Sequence, residues 1–355
     1  MAHSNISIFV PHIGCPHRCS FCNQNTISGA QHAPTAEKVR EICAKALTEV
    51  KTPSETEIAF FGGSFTAIPR KYMTELLEAA CEFVGEGKFR GIRCSTRPDC
   101  IDSEILELLK KYGVTSIELG AQSMSDKVLA ANDRGHTAQD VTDSSRLIRE
   151  YGFELGLQMM IGLYQSTGDD EWMTFEEIMR IHPDTVRIYP VVILKGTKLA
   201  QLYESGQYQL FGGAAGMRSC FDFDDVVETA AHFMCEFEEN GIRVIKCGLH
   251  ASEFVEQDMV GGFYHPAFRE LCESSIYRTL IEEELRPDSG HVDIAETLAD
   301  MESLNGSVTI AVAPNCISKA VGHKKSNVAY FNEMGIELNI VGDASLPKYK
   351  VKLRR

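Results

Sequence analysis

No stretch of this 355-residue chain approaches eighteen consecutive apolar residues, which excludes an ordinary transmembrane helix. The opening MAHSNISIFVPHIGCPH has neither a basic n-region nor a long apolar run. It does not read as a secretory signal, and the expected compartment is cytoplasmic. Short repeats and low-complexity tracts are missing too. Positive charge is scarce: 35 Lys and Arg stand against 50 Asp and Glu, a net −15. A uniformly acidic surface repels nucleic acid and anionic membranes. The scarcity is not uniform, however. Residues 307–355 hold eight Lys/Arg against three Asp/Glu, a local +5, and the first 306 residues carry the remaining −20.

What is there is an alternation of strand-like and helix-like segments. Strands read at 6–12, 57–63, 91–98, 115–123, 153–163 and 184–193. Helices read at 35–50, 69–84, 102–113, 137–151 and 169–181, the third opening on Asp102 and closing on Gly113. Six βα units imply an α/β fold with a parallel sheet and helical crossovers, as an open doubly wound sheet or a barrel-like one. Either places function at the C-terminal strand ends. The unusual segments fall there: the cysteine run after the first strand, GGSF after the second, STRP on the third, ELGAQS on the fourth and GLYQS after the fifth. Further on, 222–240 reads as a helix, IRVIKCGL as a strand, and 262–288 as a helix that starts near FYHPAF.

Twelve cysteines in a reducing compartment favour metal or catalysis over disulfides. Nine are scattered and read as small buried apolar residues. The other three are packed into GCPHRCSFCNQ as Cys15, Cys19 and Cys22. A structural zinc takes four ligands, and His12 or His17 would complete a Cys₃His set. A 4Fe–4S cluster is normally held by four thiolates. Three leave one iron open, where a fourth cysteine would block a substrate or cofactor.

The C-x₃-C-x₂-C run follows a first strand and has the aromatic Phe21 before its last cysteine. It resembles the signature of the radical S-adenosylmethionine (SAM) superfamily. That resemblance implies a 4Fe–4S cluster on Cys15, Cys19 and Cys22, with the methionyl nitrogen and carboxylate of SAM on the open iron. It also implies an external electron donor and cleavage of the S–C5′ bond to a 5′-deoxyadenosyl radical. Phe21 would contact the adenine. Gly62, Gly63 and Ser64 look like the superfamily's glycine motif, whose missing Cβ atoms let the backbone approach the cofactor. Ser95 and Arg97 on the third strand, and Glu118 and Gln122 on the fourth, match ribose and methionyl contacts, and Gln158 is a similar ribose candidate. A carboxylate buried at Glu118 needs a cation, and its own segment offers none. A cofactor ammonium is the expected partner.

Five longer segments narrow the likeness: FFGGSFTAIP, CSTRPDCID, SIELGAQSMSDKVLAANDRGHT, GFELGLQMMIGL and VRIYPVVILKGTKLAQLYESGQY. They resemble the radical domain of the catalytic subunit of Elongator and its shorter bacterial relatives, over about residues 6–210. The resemblance places Arg134, His136, Tyr189 and Lys195 on the substrate side, with Lys195, Tyr189 and Glu118 as catalytic candidates. Read from the residues alone, Lys195-Gly196-Thr197 is equally a capped loop. Nothing here resembles Elongator's acetyltransferase domain, so acetyl-CoA-dependent wobble-uridine chemistry is not expected.

The basic end, 308–343, reads strand, helix, turn, helix, strand, with GHKK (322–325) as the turn. It resembles a minimal KH module, whose G-x-x-G loop clamps a nucleic-acid backbone. Lys325 stands where the second glycine belongs. The expected architecture is a partial (βα)₆ TIM-like radical SAM barrel with a helical extension and a small KH-like αβ module, divided as 1–210, 211–290 and 291–355. The expected substrate is RNA, a tRNA in particular. Two alternatives stand beside it. One is a radical enzyme on a small molecule or peptide, similar to oxygen-independent coproporphyrinogen oxidases. The other is a non-enzymatic RNA-binding protein with structural zinc.

Overall fold

The alternating segments build a seven-stranded, wholly parallel sheet that curls into a half-barrel. The computed structural model describes residues 4–10, 15, 18–23, 26–27, 32–210, 222–286 and 306–354. The chain runs through β1 (Ser4–Val10), α1 (Ala36–Glu49), β2 (Thr56–Gly62), α2 (Arg70–Cys81), β3 (Gly91–Thr96), α3 (Ser103–Lys111) and β4 (Val114–Gln122). It continues through α4 (Asp126–Ala131), α5 (Ala138–Glu150), β5 (Glu154–Ile161), α6 (Gly168–Ile181), β6 (Thr185–Pro190), β7 (Val192–Leu194) and α7 (Lys198–Glu204). After α8 (Phe223–Glu239) come β8 (Arg243–Cys247), α9 (Glu253–Asp258) and β9 (Met259–Gly262). The sheet order is β1-β2-β3-β4-β5-β6-β8. Two compact units result: residues 1–222 with 240–266, and residues 223–239 with 267–355.

Local chemistry fixes the helix starts. Asp102 accepts from the Ile105 N–H at 2.8 Å. Thr137 with Asp140, and Thr167 with Asp170, form capping boxes that satisfy N-terminal donors in both directions. The expected strand 184–193 ends at Pro190, because proline has no N–H for the ladder. Val192–Leu194 then leave to pair antiparallel with β9. The outward side chains of the strands, such as Ile58, Ile92, Ile117, Leu155 and Val186, are fully buried.

The inward face is polar. Arg93 is completely buried and ion-pairs with Glu57 at 2.8 Å, Glu118 at 3.3 Å and Glu154 at 2.6 Å. Arg187 reaches Glu118 at 2.7 Å from the next strand but one. Burial opposes charge on Glu57, yet Arg93 and the Ser116 and Thr115 hydroxyls outweigh it and hold the carboxyl below its usual range.

The second unit contains α8, α10 (Phe268–Leu285) and a terminal β-α-α-β-β run. That run is β10 (Ser307–Val312), α11 (Ile317–Val321), α12 (Ser326–Glu333), β11 (Glu337–Gly342) and β12 (Val351–Arg354). Strand β10 pairs parallel with β11 and antiparallel with β12. The GHKK turn is braced from below: the His323 N–H donates to Ser274 Oγ at 2.8 Å, and Asn327 Nδ2 donates to the Ser274 carbonyl at 2.9 Å. Lys324 and Lys325, both exposed, take left-handed conformations with φ of 53° and 65°. Much of the local positive charge is spent inside the unit. Lys319 pairs with Glu273, Lys348 with Glu238, Lys350 with Glu239 and Arg354 with Asp343. The Asp-, Glu-, Ser- and Gly-rich segment 287–306, expected from sequence as a linker, lies almost wholly outside the described residues.

Candidate active site

A cavity of about 620 Å³ occupies the polar inner face of the half-barrel. Its wall includes side chains from both edge strands: Asn5, Ser7 and Phe9 of β1, and Ile245 and Lys246 of β8. These strands are the two ends of the sheet order and do not pair with each other. Of the expected cofactor residues, Phe21, Gly62, Ser95, Gln122 and Gln158 line it, and so do Cys22 and Tyr189.

Gly62 ends β2 at φ 117°, and a Cβ there would lie 2.8 Å from the Val10 carbonyl oxygen. Only glycine fits that turn. Gly63 donates to the same carbonyl at 3.0 Å, and buried Ser64 precedes a short 3₁₀ turn, Phe65–Ala67. Gln122 ends β4 at φ 69°, with its Oε1 buried and without a hydrogen-bond partner among the described residues. An acceptor left dry against a cavity wall suits a ligand donor.

The cysteine loop is pinned from outside the cavity by the NDRGHT segment. The Ser20 N–H donates to the Asn132 carbonyl at 3.1 Å, and Ser20 Oγ donates to Asn132 Oδ1 at 2.7 Å. Arg134 Nη1 donates to Cys19 Sγ at 3.0 Å, and its Nη2 donates to the Gly120 carbonyl. Arg97 clasps Asp99 at 2.9 Å and donates to the Arg134 carbonyl, so it also braces this corner and does not line the cavity. Arg134, expected on the substrate side, thus grips the cysteine loop. His136 is buried with Nε2 at 3.3 Å from the Ala121 carbonyl. Burial, then Arg134 and Arg97, push its imidazole down to about 4.

Glu118 also differs from expectation. It is 1% exposed, and it is satisfied by Arg187, Arg93 and Gln158 Nε2 at 3.0 Å. The cation that its burial demands comes from β6 and β3, so it does not need a cofactor ammonium. Burial works against its charge, but Arg187 and Arg93 prevail and hold it below the usual carboxylate range. Tyr189 stands at the cavity with its hydroxyl 3.4 Å from Arg187 Nη1. Lys195 lies outside the cavity wall. It is exposed and donates to the Gln257 carbonyl at 2.8 Å.

Residues 9–178 match the radical SAM superfamily, and residues 183–278 match the radical SAM C-terminal domain. The chain belongs to the radical SAM superfamily. It is a radical SAM enzyme related to Elongator protein 3, and the non-enzymatic zinc reading is set aside. His12 and His17, the candidate fourth zinc ligands, lie outside the described residues. Elongator complex protein 3 of Schizosaccharomyces pombe is 30% identical over 179 residues, covering 44% of this chain and 33% of that protein. A tRNA uridine(34) acetyltransferase of Methanocaldococcus infernus is 26% identical over 236 residues, covering 55% and 44%. The chain thus spans less than half the length of either curated relative. The solved archaeal Elp3 of Methanocaldococcus infernus, with its N-terminus deleted, superposes at a TM-score of 0.53 and 17% identity. It covers 72% of this radical SAM chain and 62% of its own, and shows the shared fold. No described helix is long and apolar enough to cross a membrane.

Membership implies a 4Fe–4S cluster and SAM. The donor set fits: three cysteines in one loop, none of them in a disulfide, with Cys22 in the wall of a cavity that also holds the unpartnered Gln122 acceptor. Among the described residues, no three His, Cys, Asp or Glu side chains are gathered as a metal group.

Sequence reasoning missed Arg187, Lys246 and His250 of the cavity wall. Arg187 carried the same signal that revealed Gln158, a polar residue on the inward period of an apolar strand.

Proposed function

We propose that this enzyme carries its 4Fe–4S cluster on Cys15, Cys19 and Cys22, binds SAM in the half-barrel cavity, and modifies RNA, with a tRNA as substrate. The observation that carries this reading is the continuity of the cavity wall, from Phe21 and Cys22 through Gly62 to Ser95, Gln122 and Gln158. When bound and reduced by an external donor, the cluster and SAM supply a 5′-deoxyadenosyl radical. The chain's own residues hold and orient. Phe21 gives an apolar face for adenine, Ser95 and Gln158 give polar atoms for ribose hydroxyls, and Gln122 Oε1 accepts from the ligand. Tyr189 stands on β6 as a hydrogen-bonding group toward the substrate. The RNA part is supported by the relative named for tRNA uridine and by Lys324 and Lys325, exposed at a braced turn.

The test starts with anaerobically reconstituted protein. Dithionite and SAM should yield 5′-deoxyadenosine with about four irons per chain, and both should vanish in Cys19→Ala. The RNA part is read by tRNA affinity, which should fall in the Lys324→Ala/Lys325→Ala double variant. Unchanged affinity in that variant would remove the turn from the reading. A second reading, a small-molecule or peptide substrate, is favoured by the four cations of the second unit held in internal ion pairs. Cleavage of SAM by a wild-type protein that binds no tRNA would put that reading first.

A further inference from the structure

Arg187 leaves β6 and crosses the interior of the half-barrel. Its guanidinium carbon lies 4.9 Å from the centre of the Phe61 ring on β2. Strands β3, β4 and β5 stand between β2 and β6 in the sheet order. In a flat sheet those two strands would be roughly 19 Å apart, so the curl is what brings the side chains together. The guanidinium is locked on the way. Its Nε lies 2.7 Å from Glu118 Oε2, and its Nη2 donates to Glu118 Oε1 at 2.9 Å, a two-pronged pair that fixes its plane. The Phe61 ring covers one face as a cation–π partner.

That pair leaves out Nη1, whose neighbour is the Tyr189 hydroxyl at 3.4 Å. The hydroxyl oxygen accepts from Nη1, so the Tyr189 O–H is donated elsewhere. Both residues line the cavity. The result is two donors side by side on a fixed frame. Glu118 already balances the guanidinium charge, so the donors suit a neutral acceptor rather than a second anion. The sulfonium and ammonium of SAM accept no hydrogen bond and do not meet this need. Near the donors runs an aromatic shelf. Phe9 of β1 and Phe61 of β2 are paired across the strands, with ring centres 6.3 Å apart. Both are half-buried and line the cavity. Aromatic faces left open in a cavity take flat rings.

We propose that Arg187 and Tyr189 determine the specificity of the substrate site: Arg187 Nη1 and the Tyr189 hydroxyl donate to the carbonyl oxygen of a nucleobase whose ring lies against Phe9 and Phe61. This rests on the RNA reading above and narrows it to a base that carries a carbonyl.

The experiment uses reconstituted holoenzyme with SAM and no reductant. Labelled oligo-U, labelled oligo-A and a tRNA are titrated by fluorescence anisotropy. Uracil carries carbonyls and adenine carries none. Wild type, Tyr189→Phe, Arg187→Lys and Phe61→Leu are compared, with SAM affinity and urea stability measured for each. Wild type should bind oligo-U about tenfold more tightly than oligo-A. Tyr189→Phe keeps the ring and the Glu118 pair, and should narrow that ratio about fivefold. Arg187→Lys keeps the charge but loses the planar fork, and should narrow it as well. If Arg187→Lys unfolds, Tyr189→Phe decides alone. Phe61→Leu should weaken both oligonucleotides and keep the ratio, because every base has a π-face. Three results overturn the assignment. A wild type that binds tRNA but binds the two oligonucleotides alike or not at all, or a ratio unchanged in Tyr189→Phe, would sink the donor pair and leave the RNA reading standing. A parallel loss of SAM affinity in Tyr189→Phe would assign the hydroxyl to the cofactor. A wild type that binds neither tRNA nor oligonucleotide would sink the reading and the assignment together.

Discussion

At the scale of single residues, burial decided which polar groups could be read from sequence. Gln158 is a polar position in an apolar strand and Gln122 comes from the family resemblance, and both line the cavity. Glu118 comes from the resemblance too, yet its partners come from two other strands, and pairing across a sheet leaves no trace in one segment. Glu171 shows the opposite case, a buried carboxyl with no cation. It is 2% exposed and accepts from the Gly162 N–H at 2.8 Å and from Ser166 Oγ at 2.7 Å. Burial pushes it up to about 7 from an ordinary 4.5. The folded state then holds a proton that the unfolded state releases. This stabilisation is full below about pH 4.5 and is lost as pH rises through about 7. Glu171→Gln keeps the acceptor without the charge. It should exceed wild type in stability by about 2 kcal/mol at pH 8 and lose that advantage near pH 5. Urea midpoints at the two pH values decide it, and equal differences at both would refute the account.

At the scale of elements, capped helices and alternating strands were legible because their signals are local. Thr35, Asp102, Thr137 and Thr167 all cap where side chains predict they should. A bulge in β8 was not legible. Its strand reads simply as IRVIKCGL, and only the partner strand's register reveals the extra residue. The NDRGHT segment, expected on the substrate side, grips a loop 112 residues earlier, which nothing in its own sequence says. That grip is measurable. Arg134→Ala removes the donor to Cys19 Sγ and to the Gly120 carbonyl, and iron retained after reconstitution should fall severalfold. Arg134→Lys should rescue little, because an ammonium cannot span two acceptors as a planar guanidinium does. Full iron content in Arg134→Ala would free the segment from this role.

Across the whole molecule, the inner face of the sheet is tied by one ladder of charge. Arg93 of β3 joins Glu57 of β2, Glu118 of β4 and Glu154 of β5, and the ladder extends from Glu118 to Arg187 of β6 and from Glu154 to Arg243 of β8. Arg93→Met leaves the buried Glu57 carboxylate without its cation and takes one of two from Glu118, and should cost about 3–5 kcal/mol in denaturant titrations at neutral pH. Glu57 and Glu118 are held below their ordinary values. Their contribution is therefore present above about pH 4.5 and disappears as pH falls through their folded-state values. The deficit of the variant should shrink in acid, and a constant deficit would contradict the ladder. Among the described residues, the sheet that carries this ladder does not close on itself. A closed barrel admits only what passes its mouth, and so sets an upper size on what it can transform. Unjoined edge strands impose no such ring: on the proposed RNA reading, a single unit of a long polymer would enter between them while the rest of the polymer stays outside, neither threaded nor cut.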